Sequence, residues 1–132
     1  MTTTIDEEPK PLGELTLAQQ ALPKDSNGNN KVYAGWVVSQ MDLAAAMAAQ
    51  RITHSHIATV TIDGMIFVAP IKLGSTVSFY TRIHKIGRSS ITIVVEVWAQ
   101  SITASAQHKV TEAQFVLVAM DEKGRSQLID QP

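Results

Sequence analysis

The segment Trp36-Val-Val-Ser-Gln-Met-Asp42-Leu-Ala-Ala-Ala-Met-Ala-Ala-Gln50 decides the fold that this sequence predicts. Alanine and methionine are strong helix formers, and apolar residues occur nearly all round a helix that extends from residue 35 to about residue 51. Such a helix must be covered on most of its sides. Asp42 is the one acid in it, and a carboxylate is costly to bury without a partner or a use. Asp42 is therefore a candidate active-site acid, and a paired or surface-facing structural acid is the alternative.

Several other segments are predicted strands that can cover this helix, because they are rich in β-branched and aromatic residues and several alternate with period two. Turn signals follow two of them, and short connections imply antiparallel neighbours. The sequence predicts an α+β fold, an antiparallel β-sheet wrapped around one long central helix, in a single domain at 13–132 after a flexible N-terminal arm at 1–12. The predicted strands are 14–17, 58–63, 65–68, 76–84, 90–98 and 110–119, with turns at 85–89 and 121–125.

The composition argues against several functional classes. At 132 residues the chain fits one domain with a substantial core, and a hydrophobic content of 45% is that of a globular protein. A net charge of -1 gives no electrostatic case for binding nucleic acid or an anionic membrane. The sequence has no cysteine, no secretory signal pattern and no apolar run of membrane-spanning length, which favours a cytoplasmic location.

A longer stretch of sequence carries a family resemblance. The segment Asp25-Ser-Asn-Gly-Asn-Asn-Lys-Val-Tyr-Ala-Gly-Trp-Val-Val-Ser-Gln-Met-Asp42 resembles the loop-and-helix signature of hotdog-fold acyl-CoA thioesterases, and of their YciA-like group in particular. Residues 59–74, which end in Phe-Val-Ala-Pro-Ile-Lys-Leu-Gly, are also similar to the family. Shorter matches are Gly87-Arg-Ser-Ser-Ile, Val95-Glu-Val-Trp98 and Lys109-Val-Thr-Glu-Ala113, so the resemblance extends from about residue 15 to residue 124.

Three positions depart from the family pattern. Asn30 and Ala34 stand where the family has glycine, and Ser75 stands where it commonly has aspartate. Asparagine is, after glycine, the residue most tolerant of a positive φ, so Asn30 is compatible with the loop. Ala34 lies where close approach of a ligand to the backbone favours glycine, and it is the departure expected to affect activity.

The resemblance implies hydrolysis of an acyl-CoA thioester to a free carboxylic acid and CoA, with Asp42 as general base for water or as nucleophile. Asn27 matches the family's loop asparagine and would position the water or the carbonyl, with a turn-stabilising role as the alternative. The start of the helix exposes unpaired N–H groups, so those of Gly35 and Trp36 are the candidates for polarising the thioester. Asp42 lies about 10 Å further along the helix axis. The family forms its site across a homodimer, and the resemblance implies a homodimer here, assembled further into a trimer of dimers.

The predicted strand 90–98 also suggests self-association. Val94, Val95 and Val97 lie close together in it, and successive strand residues point to opposite faces of a sheet. A monomer would then expose apolar surface that soluble proteins rarely leave uncovered.

Coenzyme A carries phosphates that require cationic groups. Arg88, Lys109 and Lys72 are the candidates for binding them, although solvated surface charges are the alternative for each. Ser89 and Ser90 are candidates for hydrogen bonds to the pantetheine arm, or they simply close the hairpin.

The four histidines do not form a recognisable site. His54 and His56 have a spacing that suits metal chelation on a strand, but no acid or cysteine cluster completes a site, so no metal and no cofactor is expected. A hotdog dehydratase acting on acyl carrier protein is an alternative enzyme, but it would require a histidine near the start of the helix. A non-catalytic acyl-CoA-binding module is the other alternative, and Asp42 argues against it.

Overall fold

The computed structural model describes residues 9–129, so part of the predicted arm, residues 1–8, lies outside the described residues. The elements are β1 Glu14–Gln20, α1 Ala34–Thr53, β2 His56–Asp63, β3 Thr76–Ile86, β4 Ser90–Gln100 and β5 His108–Met120, with a short 3-10 turn at Pro23–Asp25. The helix α1 crosses a five-stranded sheet in which neighbouring strands are antiparallel and the order is β1-β3-β4-β5-β2. The predicted sheet around a central helix is therefore confirmed.

Alanines bring α1 close to the sheet. Ala44, Ala45 and Ala49 are fully buried, and with Met41 they pack onto the strand residues that point toward the helix. Because alanine side chains are short, the helix backbone can lie near the sheet without leaving voids. The opposite face of the helix stays open in the single chain, where Leu43 is exposed. The single chain therefore covers most of the helix and leaves one stripe of it, which includes Ser39, Leu43 and Gln50, exposed.

The observed strands are longer than the sequence predicted, but they lie in the predicted places. The two predicted turns are confirmed, since the Gly87 N–H donates to the Ser90 carbonyl and the Asp121 carboxylate accepts from the Lys123 and Arg125 N–H groups. The helix begins one residue earlier and ends two residues later than predicted. Within residues 9–129, no helix is long and apolar enough to cross a membrane.

The strand predicted at 65–68 is wrong. β2 ends at Asp63, and Gly64 turns the chain with a φ of 74°. The edge of β5 is already occupied by β2 as far as Gln114. The segment is held to the remaining part of β5 by isolated contacts, in which the Val68 N–H donates to the Val110 carbonyl and the Thr111 hydroxyl donates to the Ile66 carbonyl.

The outer face of the sheet, which points away from α1, does not show the exposed apolar surface that the sequence predicted on β4. Val94 and Trp98 point away from α1 but are already buried. Between them lies Glu96, which is 2% exposed; it binds the Arg82 guanidinium at 2.6 Å and accepts a hydrogen bond from the Trp98 indole at 3.0 Å. The consecutive valines of β4 therefore do not leave the apolar surface from which self-association was predicted.

Several of the exposed large apolar side chains follow one of the two edges of the sheet. β2 is an edge strand, and this strand and the segment after it present a row of large apolar residues to solvent. We call this row the β2 strip. It consists of Val60, Ile62, Ile66, Phe67 and Val68. An apolar edge of this kind is a template for pairing with another chain.

Candidate functional site

Asp42 lies in the first half of α1 and is only partly buried. Its Oδ1 accepts a hydrogen bond from the Thr59 hydroxyl at 2.6 Å. Among the described residues, no lysine, arginine or histidine forms an ion pair with Asp42. The structure therefore does not support the alternative of an ion-paired structural acid. A carboxylate held by one hydroxyl keeps its second oxygen available for chemistry.

Thr59 is the site residue that sequence reasoning missed. It belongs to β2, and its pairing with Leu117, a core residue of β5, places it on the side of the sheet that faces α1. Val60 is the extra residue of a β-bulge between Thr59 and Thr61. Bulges re-aim neighbouring side chains and are common beside active sites. The sequence signal was a threonine at an inward position of a strand, but the sequence did not show that Asp42 would lie opposite.

The start of α1 offers fewer free donors than predicted. The Trp36 N–H already donates to the Tyr33 carbonyl at 3.2 Å, and its indole ring packs edge-on against Phe79 in the core. Gly35 is exposed at the second helical position, where an N–H has no carbonyl four residues back in the helix to bind. A side chain at residue 35 would contact the Tyr33 ring, since a Cβ there would lie 3.3 Å from it. Gly35 is thus the better of the two predicted donors.

The loop before α1 is fastened by Asp25, which the sequence analysis did not single out as a separate residue. Asp25 is buried, its carboxylate accepts from the Leu22 N–H at 3.0 Å and the Lys24 ammonium at 2.9 Å, and its carbonyl accepts from the Tyr33 N–H at 3.3 Å. Burial alone would raise the pKa of Asp25, but the Leu22 hydrogen bond and the Lys24 charge outweigh it and hold the pKa below its ordinary value. Asp25 therefore fixes both ends of the loop that leads into the helix.

Asn27 occupies the tip of this loop. It is exposed, its side-chain oxygen accepts from the Asn29 N–H at 3.0 Å, and its own N–H donates to the Lys31 carbonyl at 2.9 Å. This is the geometry of a turn-stabilising asparagine. Asn30 has a φ of 60°, which is the left-handed conformation that asparagine tolerates.

An apolar cavity of about 360 Å³ opens beside the helix start. Ala34, the first helical residue, lines it, so the methyl group that replaces the family's glycine hydrogen lies at its wall. Such a cavity can receive a hydrocarbon chain next to the N–H groups of the helix. Its other lining residues include Val37, Phe67, Val68, Ile71 and Val110.

The structure does not bring the five predicted CoA-binding residues together within one chain. Arg88, Ser89 and Ser90 form the β3–β4 turn, whereas Lys109 lies at the start of β5. Ser90 pairs with Val118 at one end of the β4–β5 ladder and Trp98 pairs with Lys109 at the other. Because a strand rises by roughly 3.3 Å per residue, these two ends of the ladder are separated by roughly 30 Å.

The two predicted lysines differ in how freely they can bind a ligand. The Lys109 ammonium contacts the Glu112 carboxylate and lies 4.0 Å from Glu96. Lys72 is exposed, and its backbone forms an isolated antiparallel β-bridge with Lys31, near the start of α1. Lys72 is therefore more available than Lys109.

The histidines stay apart from this site. His54 caps the C-terminal end of α1 with a φ of 53°, and His56 begins β2. In the part of the chain that the structure describes, no three histidine, cysteine, aspartate or glutamate residues lie close enough together to hold a metal ion.

Comparison with known proteins identifies relatives. Residues 29–106 match the model of the Thioesterase superfamily. The acyl-CoA thioester hydrolase YciA of Salmonella typhimurium is 40% identical over 93% of both chains, and the YciA protein of Escherichia coli K12 is 37% identical over 87% of this chain and 89% of that protein. A hexameric thioesterase from Yersinia pestis superposes with a TM-score of 0.89 at 39% identity, covering 93% of this chain and all of that chain. A hexameric broad-specificity acyl-coenzyme A thioesterase superposes with a TM-score of 0.87 at 40% identity, covering 93% of this chain and 85% of that chain.

We expect the loop before α1 to respond to acid through Asp25. Folding lowers the pKa of the Asp25 carboxyl. The contribution of Asp25 to stability is therefore fully present above pH 3.8, its ordinary pKa, and is lost as the pH falls through the lower pKa of the folded state. Asp25→Ala should therefore lower the thermal unfolding midpoint at neutral pH, and the difference from the parent should vanish in strong acid. Lys24→Ala is the matched control, since it leaves the Leu22 hydrogen bond in place and should have a smaller effect. A difference that is the same at every pH would contradict this role.

Proposed function

The chain belongs to the thioesterase superfamily, and we propose that it hydrolyses acyl-CoA at a site built from two copies of the chain, with the Asp42 carboxylate as general base or nucleophile. The protein is an acyl-CoA thioester hydrolase, which releases a free carboxylic acid and CoA. The observation that carries the proposed site is the hydrogen bond between Thr59 and Asp42, on a helix that begins beside an apolar cavity. We also propose a cytoplasmic location, consistent with a chain without cysteine.

In this proposal, the Asp42 carboxylate promotes the attack on the thioester carbonyl. With Oδ1 held by Thr59, the carboxylate is oriented so that it can take a proton from water, or attack the thioester carbonyl itself. In the general-base form, the water oxygen bonds to the carbonyl carbon and its proton passes to Asp42. The tetrahedral intermediate then expels the CoA thiolate, which takes up the proton held by Asp42, so that the Asp42 carboxylate is regenerated. The Gly35 N–H stabilises the oxyanion while it exists.

The geometry of α1 supports a shared site. Gly35 and Asp42 are seven residues apart on one rigid helix, which is about 10 Å along the axis. A carbonyl at the start of a helix therefore lies out of reach of the Asp42 on that same helix. A second copy can place its helix start against Asp42, and a two-fold axis then creates two equivalent sites.

The β2 strip is the surface through which we expect the two copies to meet. It includes Val60, which is 54% exposed and directly follows Thr59 in the chain. A partner that covers the strip therefore comes close to Asp42. Relatives at 39% and 40% identity are hexameric, so we propose that such dimers assemble further into a trimer of dimers.

Arg88 is the proposed contact for a phosphate of CoA, with Ser89 and Ser90 beside it. Arg88 is exposed at the tip of its turn, and guanidinium suits phosphate geometry. Lys72 is the second proposed contact. Lys109 contributes less to this proposal because it already contacts Glu112. Asn27 keeps its proposed role near the carbonyl through its amide nitrogen, since its oxygen is engaged in the turn.

We expect Asp42→Asn to lower kcat for acyl-CoA by ~10²–10⁴-fold without unfolding the protein, because it removes the proposed base. Thr59→Val should have a smaller effect, on the order of 10-fold, because it removes one hydrogen bond to a charged group. Ser39→Ala is the control on the same helix, since the Ser39 hydroxyl donates to the Trp36 carbonyl. The rate is followed by release of the CoA thiol over a panel of acyl chain lengths.

Two results would contradict this assignment. Normal turnover by Asp42→Asn would exclude the proposed mechanism. Binding of acyl-CoA by the parent without any release of thiol would favour the non-catalytic acyl-CoA-binding module instead.

We expect Val60→Asp to weaken self-association and activity together, because a carboxylate in an apolar interface is costly to desolvate. Ile102→Asp is the matched control, since Ile102 is 80% exposed in the loop between β4 and β5 and does not belong to the β2 strip. Light scattering after size exclusion measures the mass, and thiol release measures the activity. If Val60→Asp keeps both the mass and the activity of the parent, the β2 strip is not the interface.

A further inference from the structure

The C-terminal tail returns alongside the sheet after β5. The turn at 121–125 reverses the chain, and Ser126 pairs with Met120. The Gln127 N–H then donates to the Ala119 carbonyl at 2.9 Å. Ala119 also donates to the Ser89 carbonyl at 2.9 Å, so the tail lies on the same side of β5 as β4. The tail therefore occupies the position that β4, which begins at Ser90, leaves vacant.

Ile129 anchors this tail and contacts the β3–β4 turn. Its side chain is 7% exposed and belongs to the hydrophobic core, whereas that of its neighbour Leu128 is 66% exposed. The Ile129 N–H donates to the Arg88 carbonyl at 2.7 Å. One residue thus joins the core of the protein to the backbone of the residue proposed to bind phosphate.

The tail and β5 each bind one peptide carbonyl of the β3–β4 turn. The Arg88 carbonyl points to Ile129 and the Ser89 carbonyl points to Ala119. In a planar trans peptide the N–H points opposite to the C=O, so the Ser89 N–H faces away from Ile129. The Arg88 side chain is exposed. A backbone N–H beside a guanidinium is a combination that binds phosphate oxygens well.

We propose that Ile129 is a positioning residue for phosphate recognition, holding the Arg88 turn in the shape that receives a phosphate group of the acyl-CoA substrate. This inference rests on the proposed function. Ile129 does not touch the substrate in this account. It acts through the Arg88 backbone, so its loss weakens binding of the phosphate-bearing part of the substrate and leaves the chemistry at Asp42 unchanged.

The test compares two substrates that share the thioester. Ile129→Ala removes the core anchor and Ile129→Pro removes the N–H donor, while Leu128→Ala is the matched exposed control. For acyl-CoA, both Ile129 variants should lower kcat/KM by roughly 2–10-fold through a higher KM, with kcat near that of the parent. For an acyl-pantetheine thioester, which carries no phosphate, kcat/KM should stay unchanged. Arg88→Ala should show the same split between the substrates.

The kinetics of the variants distinguish a positioning role of Ile129 from a role in stability alone. An equal loss for both substrates would show that Ile129 acts only on stability and would overturn the proposal, as would parental kinetics for both Ile129 variants. If Ile129→Ala or Ile129→Pro lowers the thermal unfolding midpoint, Ile129→Val must restore the acyl-CoA KM for the proposal to stand. If the parent hydrolyses neither substrate, the proposed activity fails, and calorimetric binding of CoA alone to the parent and to Ile129→Ala still decides the role of Ile129.

Discussion

The rigid rise of α1 is the constraint on which the rest of the site depends. Because the helix advances 1.5 Å per residue, Gly35 and Asp42 cannot act on one carbonyl from the same chain. The buried alanines of the helix let it lie close to the sheet, where Asp42 is within hydrogen-bond distance of Thr59 on β2. The edge position of β2 then places the acid next to an apolar surface that a second copy can cover. In the proposed mechanism, catalysis and assembly are therefore linked through the same strand.

The same chain fixes its two candidate functional loops by local anchors. Asp25 ties the loop before α1 to the residues on both of its sides, and Ile129 ties the β3–β4 turn to the core. Both anchors combine a buried side chain with a backbone hydrogen bond, which leaves the exposed residues of each loop free for a ligand. Loops positioned in this way by a rigid scaffold are where binding residues concentrate.

The sequence predicted the fold well because its signals are local. The Ala and Met content of 36–50 predicted the helix, and period-two alternation predicted the long strands. The prediction for segment 65–68 failed because strand propensity does not reveal how a segment pairs, and after the Gly64 turn the chain makes only isolated hydrogen bonds to β5. Thr59 received no role because a pattern of inward residues does not show which helix residue each one meets. The burial of Val94 and Trp98 on the outer face, and the separation of Arg88 from Lys109, likewise depend on strand register that is set by tertiary contacts.

Mixed oligomers test the shared site most directly. One partner carries Asp42→Asn, and the other carries Gly35→Pro, which removes the N–H donor in the first helical turn, where proline is tolerated. After subunit exchange, confirmed by mass-tagged chains, the shared site predicts recovery of about a quarter of the parental activity, because half of the dimers are mixed and each mixed dimer has one intact site. A mixture of Asp42→Asn and Thr59→Val should show only the average activity of its two separate components, since both changes lie in the same half-site. A fully exchanged mixture of Asp42→Asn and Gly35→Pro that stays as inactive as its separate components would contradict the account.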